Sequence, residues 1–397
     1  MGSNISLLNS CKYMNEKIAL EFLKKPQLCN IGEIDGNDRT PLIFACKNEM
    51  TNVALKILKW PNKCKLDHVS YNNKTALMIA CENRMTDVAL EILKYPYICN
   101  LGHFRAGKGN ALSIACEKGM TTVALKLLKY HDICKIYETG MKCFPLIFAC
   151  VNRMPLVALE MLKYPFECKL NFVDLKYYHT ALTAACWECM KDVALEILKY
   201  PDICRINYIN NTNKLSVLII ACKNKMTHVA LEILKYPDKC KLDYIGYNNN
   251  TALTLACKNC MTDVALKILK YPDKCKLDHV DNNYTALTLA CSQGMTEVAL
   301  EILKYPYICK LDHIAGYVET ALTFACAKGM KQVALEILKY PNICNIDYFN
   351  IQGNSALILA YSNGMTEVVD VLLKYSSENT LNNANKNVSM PNTDEVL

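Results

Sequence analysis

The chain lacks the features that mark membrane, secreted and nucleic-acid-binding proteins. It has no run of about eighteen apolar residues that could cross a bilayer, and its start, MGSNISLLNSCKYMNEK, lacks the basic end and long apolar core of a signal peptide. It also lacks a basic block, because lysines alternate with Asp and Glu, as in YPDKCKLD, despite a net charge of +7. We therefore expect no stable membrane association and no nucleic-acid partner.

Motifs for catalysis are missing as well. We find no paired carboxylates, nucleophile elbow or metalloprotease helix. Residues 102–108, GHFRAGK, match the spacing of a phosphate-binding loop, but Gly109 stands where a Ser or Thr should hold magnesium. An ordinary glycine-rich loop explains this segment better, so we predict no enzyme, no cofactor and no small-molecule substrate.

What the chain does have is apolar surface and cysteine. Of its 397 residues 52% are hydrophobic and 21% are charged, which suffices for a continuous core and excludes a disordered chain. Its 23 cysteines, without a secretion signal, fit a reducing compartment. We therefore predict a cytoplasmic protein, with the nucleus as a second possibility.

The whole chain is repetitive. One helical start recurs ten times at intervals of 34 to 36 residues, and a degenerate eleventh copy begins near Ile5. The ten clear starts are Thr40, Thr75, Asn110, Phe144, Thr180, Ser216, Thr251, Thr285, Thr320 and Ser355.

Each copy predicts two short helices. In TALTLACKNCM and TDVALKILKY, apolar residues such as Leu253, Cys257, Val264 and Ile268 recur at helical spacing. A Tyr-Pro pair then ends the second helix, because proline cannot continue the hydrogen-bond ladder. Pro155 is compatible with a helix, since it falls in the first turn.

This unit resembles the ankyrin repeat, whose TPLHLAA, VVxxLL and GADVN elements correspond to TALTLAC, VALKIL and CKLDH in residues 251–279. The resemblance implies an all-α solenoid of about eleven helix-turn-helix units with loop or hairpin fingertips. Three departures are the missing His, the scarcity of Gly between the helices and an added Tyr-Pro pair. Long arrays rich in Asn, Lys, Ile and Tyr resemble those of large DNA viruses and some protists, which would place the protein in a host cytoplasm.

The pattern predicts three segments. Residues 1–39 form an N-terminal capping repeat, residues 40–376 form an array of ten repeats, and residues 377–397 form a flexible tail with too little apolar surface to order itself. Polar residues interrupt the apolar columns near both ends, as at Ser10 and Asp370. We expect a monomer.

Most cysteines and histidines are predicted to be structural. Twenty of the cysteines fall in two columns that hold small buried residues in ankyrin repeats, and the two CxxC pairs, Cys186/Cys189 and Cys257/Cys260, lie too far apart for one metal. Four histidines share a column with aromatic residues of other copies, which a metal ligand would not tolerate. These are His68, His103, His279 and His313.

Variable residues at the fingertips are the candidate binding site, because binding surfaces sit on variable loops of rigid scaffolds. The resemblance implies a non-catalytic protein-protein interaction scaffold that binds a protein partner on its concave face and fingertips. An adaptor that couples a bound target to a degradation or membrane machinery is the alternative, and a thiol-rich redox or metal-binding protein ranks behind both. The proposed anchors are Tyr71, Phe104, Tyr178, Trp187, Tyr247, Tyr284 and Tyr317.

Two terminal signals remain open. The start MGSNIS fits the myristoylation pattern through Gly2 and Ser6, although a single acyl chain binds membranes only marginally. The end, Glu395-Val396-Leu397, could add a strand to a PDZ-like domain. Short patterns of both kinds match by chance, so we expect neither modification nor recognition there.

Overall fold

A computed structural model describes residues 6–107, 109–134, 144–316 and 318–375 of the chain. The chain is divided into two compact units, residues 1–208 (unit 1) and residues 209–397 (unit 2). In each unit, short antiparallel helix pairs follow one another along the sequence. We call the first helix of a pair the inner helix, the second the outer helix, and the loop before each inner helix the finger.

Unit 1 contains six helix pairs and one additional short helix within its described residues. Its helices are α1 (Leu7–Lys12), α2 (Glu16–Phe22), α3 (Pro41–Lys47), α4 (Thr51–Ile57), α5 (Ala76–Glu82), α6 (Thr86–Ile92), α7 (Ala111–Glu117), α8 (Thr121–Leu128), α9 (His131–Cys134), α10 (Pro145–Val151), α11 (Pro155–Met161), α12 (Ala181–Trp187) and α13 (Lys191–Leu198). A 3₁₀ turn, Pro26–Leu28, follows the first pair.

Unit 2 contains five pairs within its described residues. Its helices are α14 (Val217–Lys223), α15 (Thr227–Ile233), α16 (Ala252–Lys258), α17 (Thr262–Leu269), α18 (Ala286–Ser292), α19 (Thr296–Ile302), α20 (Ala321–Ala327), α21 (Lys331–Ile337), α22 (Ala356–Ser362) and α23 (366–375). Strands β1 (Val280–Asp281) and β2 (Tyr284–Thr285) pair antiparallel in one finger, with Val280 opposite Thr285. Pro341–Ile343 is a 3₁₀ turn.

The inner helices begin where the sequence places a capping residue. The side chain of Thr40 accepts a hydrogen bond from the backbone N–H of Ile43 at 3.2 Å, which satisfies one amide that has no partner inside the helix. At Thr180 the side chain accepts a hydrogen bond from the backbone N–H of Thr183, and the side chain of Thr183 accepts one from the backbone N–H of Thr180. Together these two bonds form a capping box. The same reciprocal pair recurs at Thr251, Thr285 and Thr320.

The turn between the two helices of a pair requires a left-handed residue. Glycine fills it in some copies, for example Gly119 with φ +71°. Other copies use residues that carry a Cβ, including Arg84 with φ +55° and Cys260 with φ +55°. The scarcity of glycine in these turns therefore leaves the geometry unchanged, at a conformational cost that each such residue imposes.

Successive pairs stack within each unit. Inner helix packs on inner helix, as α3 does on α5 and α16 on α18, and outer packs on outer, as α4 does on α6. The apolar residues predicted for the core, Leu253, Cys257, Val264 and Ile268, are at most 1% exposed. The predicted all-α repeat fold is confirmed, and the burial of one stack face by the next explains why single units would not be stable.

An asparagine column links successive inner helices and was not foreseen from the sequence. Asn83 caps α5, and its Nδ2 donates to the carbonyl oxygen of Cys46 in the preceding inner helix at 2.9 Å. Asn259 makes the equivalent bond to Cys222 at 2.9 Å. Since the last carbonyls of a helix have no partner within it, each asparagine satisfies a group that stacking would otherwise bury unpaired. Equivalent bonds are made by Asn48, Asn152 and Asn363.

Candidate functional site

The fingers are short turns closed by backbone hydrogen bonds. In one finger of unit 1 the N–H of Ser70 donates to the carbonyl of Lys74 at 3.0 Å, and in unit 2 that of Gly246 donates to Asn250 at 2.8 Å. The residues at the turn take left-handed conformations, as Asn249 does with φ +60°. Asparagine tolerates this region better than most residues, which explains its abundance at the tips.

Side-chain oxygens at the finger base hold several of these turns. Asp174 accepts backbone N–H groups from Lys176 at 3.0 Å and Tyr177 at 2.6 Å. Asn350 accepts from Gln352 and Asn354 in the same way, at 3.1 and 2.8 Å. Such Asx turns fix a loop locally, without help from a ligand.

The histidine column ties each finger to the one before it. In unit 1, Nε2 of His68 lies 3.0 Å from the carbonyl oxygen of Asp38, and in unit 2 Nε2 of His279 lies 2.6 Å from that of Asn249. His103 and His313 make the equivalent contacts. Where the column holds Tyr208, its hydroxyl donates to the carbonyl of Tyr178 at 2.8 Å. The histidines therefore act as structural links between fingers, as the alternation with aromatics indicated.

Two of the predicted anchors stand free of the scaffold. Tyr71 and Tyr247 are each 79% exposed, and they occupy equivalent positions at the tips of fingers in unit 1 and unit 2. The backbone beneath Tyr71 is fixed, because its N–H donates to the carbonyl of Asn37 in the neighbouring finger at 3.2 Å. A rigid backbone thus presents a large aromatic side chain to solvent at both places.

Three other predicted anchors are partly occupied by the chain itself. Phe104 is half-buried, and its carbonyl accepts a hydrogen bond from Asn73 at 3.3 Å. Tyr178 is 38% exposed, and it is the left-handed residue whose carbonyl receives Tyr208. Tyr284 is half-buried in β2, with its hydroxyl against Gly316, where a Cβ would come within 2.9 Å of that oxygen.

Trp187 lies on an inner helix and not on a finger. It is the last residue of α12 and is half-buried, with its ring centroid 6.1 Å from that of His179 at the base of a finger. Burial lowers the pKa of His179, so the imidazole beside this indole favours its neutral form. The structure thus brings a finger residue and an inner-helix residue together into one aromatic contact.

Charged side chains occupy the position of Trp187 in other copies of unit 1. Glu82 ends α5, and its carboxylate lies 2.5 Å from Nζ of Lys74 and 3.8 Å from the guanidinium of Arg105. Glu117 pairs with Lys176 at 3.5 Å. Cationic side chains at the finger bases therefore form a cluster with carboxylates at the ends of the inner helices. This cluster could not be recognised in the sequence, because its members lie up to 59 residues apart.

The sequence reasoning also missed a set of exposed aromatics in the turns after the outer helices. Tyr97 and Tyr307 are each 82% exposed and Phe166 is 78% exposed, which is similar to the exposure of Tyr71 and Tyr247 at the fingertips. Tyr97 lines a cleft of about 560 Å³ together with Pro61 and Leu66. Their place in the sequence could have identified these residues, since each of the three directly follows a Tyr-Pro pair.

The cysteine columns are packed and reduced. Burial raises the pKa of Cys64 and of Cys99 to about 12, so these thiols remain protonated near neutral pH. Every cysteine that the structure describes is free. In each CxxC pair the first member is buried and the second, Cys189 or Cys260, is exposed, so the two sulfurs do not face one site.

Metal and phosphate sites find no support in the described residues. Among residues 6–107, 109–134, 144–316 and 318–375, no three His, Cys, Asp or Glu side chains are grouped so as to hold a metal ion. The glycine-rich loop forms a finger, with Arg105 bridged to Gly109, and is not framed by a parallel sheet. Some predicted positions lie outside the described residues, namely Gly2, Lys108, Tyr317 and the segment 377–397.

Comparison with known proteins identifies the family of the repeats in two stretches of the chain. The family model described as ankyrin repeats (3 copies) matches residues 7–103 and 218–313, one stretch in each unit. A search of curated proteins found no match. Within the described parts of the two units, no helix has the length and apolar character needed to span a membrane.

Proposed function

The chain contains ankyrin repeats, and we propose that it is a non-catalytic scaffold that binds a protein partner on its fingertips and on the adjoining inner-helix face. Ankyrin repeats are generally protein-protein interaction modules. The observation that carries the proposal is the exposure of Tyr71 and Tyr247 on fingers whose backbones are already held by hydrogen bonds.

The energetics of such residues support binding. A tyrosine ring that is 79% exposed leaves apolar surface in water, and covering it with a partner would recover that cost. Because the finger backbone is fixed, little conformational entropy is lost when the partner arrives. Rigid aromatic anchors of this kind carry much of the affinity of protein interfaces.

We further propose that the protein works in a reducing compartment, the cytoplasm or the nucleus. Its column cysteines are free, and most of them are buried. A chain with this many thiols would be open to wrong disulfides while it folds under oxidising conditions.

Comparison of matched variants in affinity capture tests the proposed surface. Tyr71→Ala and Tyr247→Ala should each weaken capture of the partner by at least about tenfold, because truncated aromatic anchors typically cost about 2 kcal/mol or more. The partner is identified by mass spectrometry from the unmodified chain, and its binding to each variant is then measured by titration.

Two control pairs locate the surface. Glu232→Ala and Glu301→Ala remove half-buried carboxylates on outer helices, each paired with a lysine three residues on, and should leave binding intact. Tyr97→Ala and Tyr307→Ala test the aromatic turns on the other loops. If either control pair abolishes binding while both fingertip variants retain it, the fingertip proposal is wrong.

A further inference from the structure

The last described repeat leaves its stacking face uncovered. Four columns that face the following repeat are at most 2% exposed in the repeat of Thr320, at Thr323, Cys326, Ala334 and Leu338. In the repeat of Ser355 the same columns hold Ile358 at 46%, Tyr361 at 78%, Val369 half-buried and Leu373 at 50% exposure. We call these four residues the C-terminal face. No described residue covers it.

The first repeat leaves the complementary face uncovered. Ile18 and Phe22 are half-exposed, whereas Val53 and Ile57, which occupy the same columns one repeat later, are fully buried. Together with Leu28, which is 75% exposed, they line a cleft of about 320 Å³. We call Ile18, Phe22 and Leu28 the N-terminal face. Ile18 and Phe22 occupy columns that receive a preceding repeat, and Leu28 lies beside them in the same cleft.

These faces are apolar where a capping repeat should be polar. The polar interruption at Ser10 does not lie across the N-terminal face, since Ser10 is only 6% exposed and its hydroxyl donates to the carbonyl of Ser6 at 2.8 Å. Both ends therefore present surface of the kind that internal repeats bury. Contiguous exposed apolar surface of this kind commonly marks an interaction site.

We propose that copies of this chain associate end to end, with the C-terminal face of one copy on the N-terminal face of the next. The argument is continuity with the interface that already stacks the repeats. Within unit 1, α3 packs on α1 and α4 packs on α2, and within unit 2, α22 packs on α20. A second copy supplies the half of this interface that each end lacks.

The charges around the two faces permit this contact. Glu21 and Lys25 border the N-terminal cleft, and Asp370 and Lys374 lie on the helix that carries Leu373. Each side thus offers both signs, so approach need not oppose like charges. Because the two faces differ, the contact is heterologous and leaves one free face at each end for further copies.

Sedimentation velocity of the 397-residue chain over a wide range of concentrations tests the proposal. The weight-average mass should rise above that of one chain as concentration increases. Tyr361→Asp and Leu28→Asp should each weaken association by more than about tenfold, because each places a charge in an apolar contact. Both side chains are at least 75% exposed, so the fold should tolerate the change, as circular dichroism will verify.

A matched control and a mixing experiment complete the test. Tyr97→Asp alters an equally exposed aromatic of unit 1 that belongs to neither face, and it should associate like the unmodified chain. A mixture of Tyr361→Asp and Leu28→Asp chains should form dimers and nothing larger, because one intact face of each kind remains.

Three results would overturn the proposal. The first is a chain that stays monomeric at every concentration, as the sequence alone led us to expect. The second is association that Tyr361→Asp leaves unchanged. The third is association lost in Tyr361→Asp but kept in Leu28→Asp, which would indicate that the C-terminal face pairs with itself.

Discussion

The cysteine columns and the fingertips differ in both sequence and environment. Cys46, Cys81 and Cys116 repeat one residue at one position and are fully buried. The tips change from YNNK at 71–74 to KYYH at 176–179, and they carry the exposed tyrosines. Constancy across copies thus marks a buried position where neighbouring repeats pack closely, whereas variation marks positions that neighbouring repeats constrain less.

The comparison is not absolute, because parts of the fingers are as constrained as the core. Each histidine of the column contacts the carbonyl of a left-handed fingertip residue, and Asn283 accepts the N–H of Gly316 as well, at 3.1 Å. The finger backbones therefore form a ladder within each unit, and only the outward side chains vary. A rigid ladder with variable side chains is suited to presenting a binding surface.

The largest expected effect comes from raising the pH, which acts on the interior and spares the tips. Burial raises the pKa of column thiols such as Cys275 and Cys309 from the ordinary value of 9.0 to about 12. The folded chain thus keeps protons that the unfolded chain releases above pH 9.0, so stability is complete below that pH and is lost as pH rises towards about 12. Half a dozen such thiols would remove roughly 8 kcal/mol per pH unit, comparable to the whole stability of a domain.

We therefore expect cooperative alkaline unfolding, observed as loss of the helical circular dichroism signal together with a rise in thiolate absorbance. The exposed Cys189 and Cys260 serve as internal controls, since they should react with an alkylating reagent below the transition while the column thiols react only through it. Gradual titration of the column thiols with the helical signal intact would show that they are accessible and would contradict the packing interpretation.

A matched pair of truncations in one repeat sharpens the contrast between interior and tip. Leu253 is 1% exposed in α16, and Tyr247 is 79% exposed in the finger that precedes this helix. Leu253→Ala should cost about 2 to 5 kcal/mol of unfolding free energy, because it removes a buried side chain and leaves a cavity. Tyr247→Ala should change it by less than about 0.5 kcal/mol. Urea unfolding followed by circular dichroism measures both free energies. Equal shifts of the two unfolding midpoints would contradict the distinction between a buried interior position and an exposed fingertip position.

The repeat frame was predictable from the sequence because it depends on local rules. Spacing, threonine caps and the Tyr-Pro pair fix where helices begin and end, and the small cysteines indicate where repeats pack. The interaction between Glu82 and Arg105 depends on how one finger leans over the neighbouring inner helix, which no local pattern encodes. The half-burial of Tyr284 likewise depends on Gly316, which lies in the next finger.

The smallest expected effect concerns the asparagine column, which varies in sequence yet links repeats. Asn259 donates to the carbonyl oxygen of Cys222 at 2.9 Å, whereas Lys328, at the equivalent cap two repeats later, is exposed. Asn259→Ala should cost about 1 kcal/mol, because a helix-end carbonyl loses its partner, and Lys328→Ala should cost less than about 0.5 kcal/mol. Conversely, Lys328→Asn should add the missing link and stabilise the fold by a similar amount, since its position matches that of the other caps. If Asn259→Ala and Lys328→Ala shift the urea midpoint equally, the column is a surface feature like the fingertips, and its recurrence has another cause.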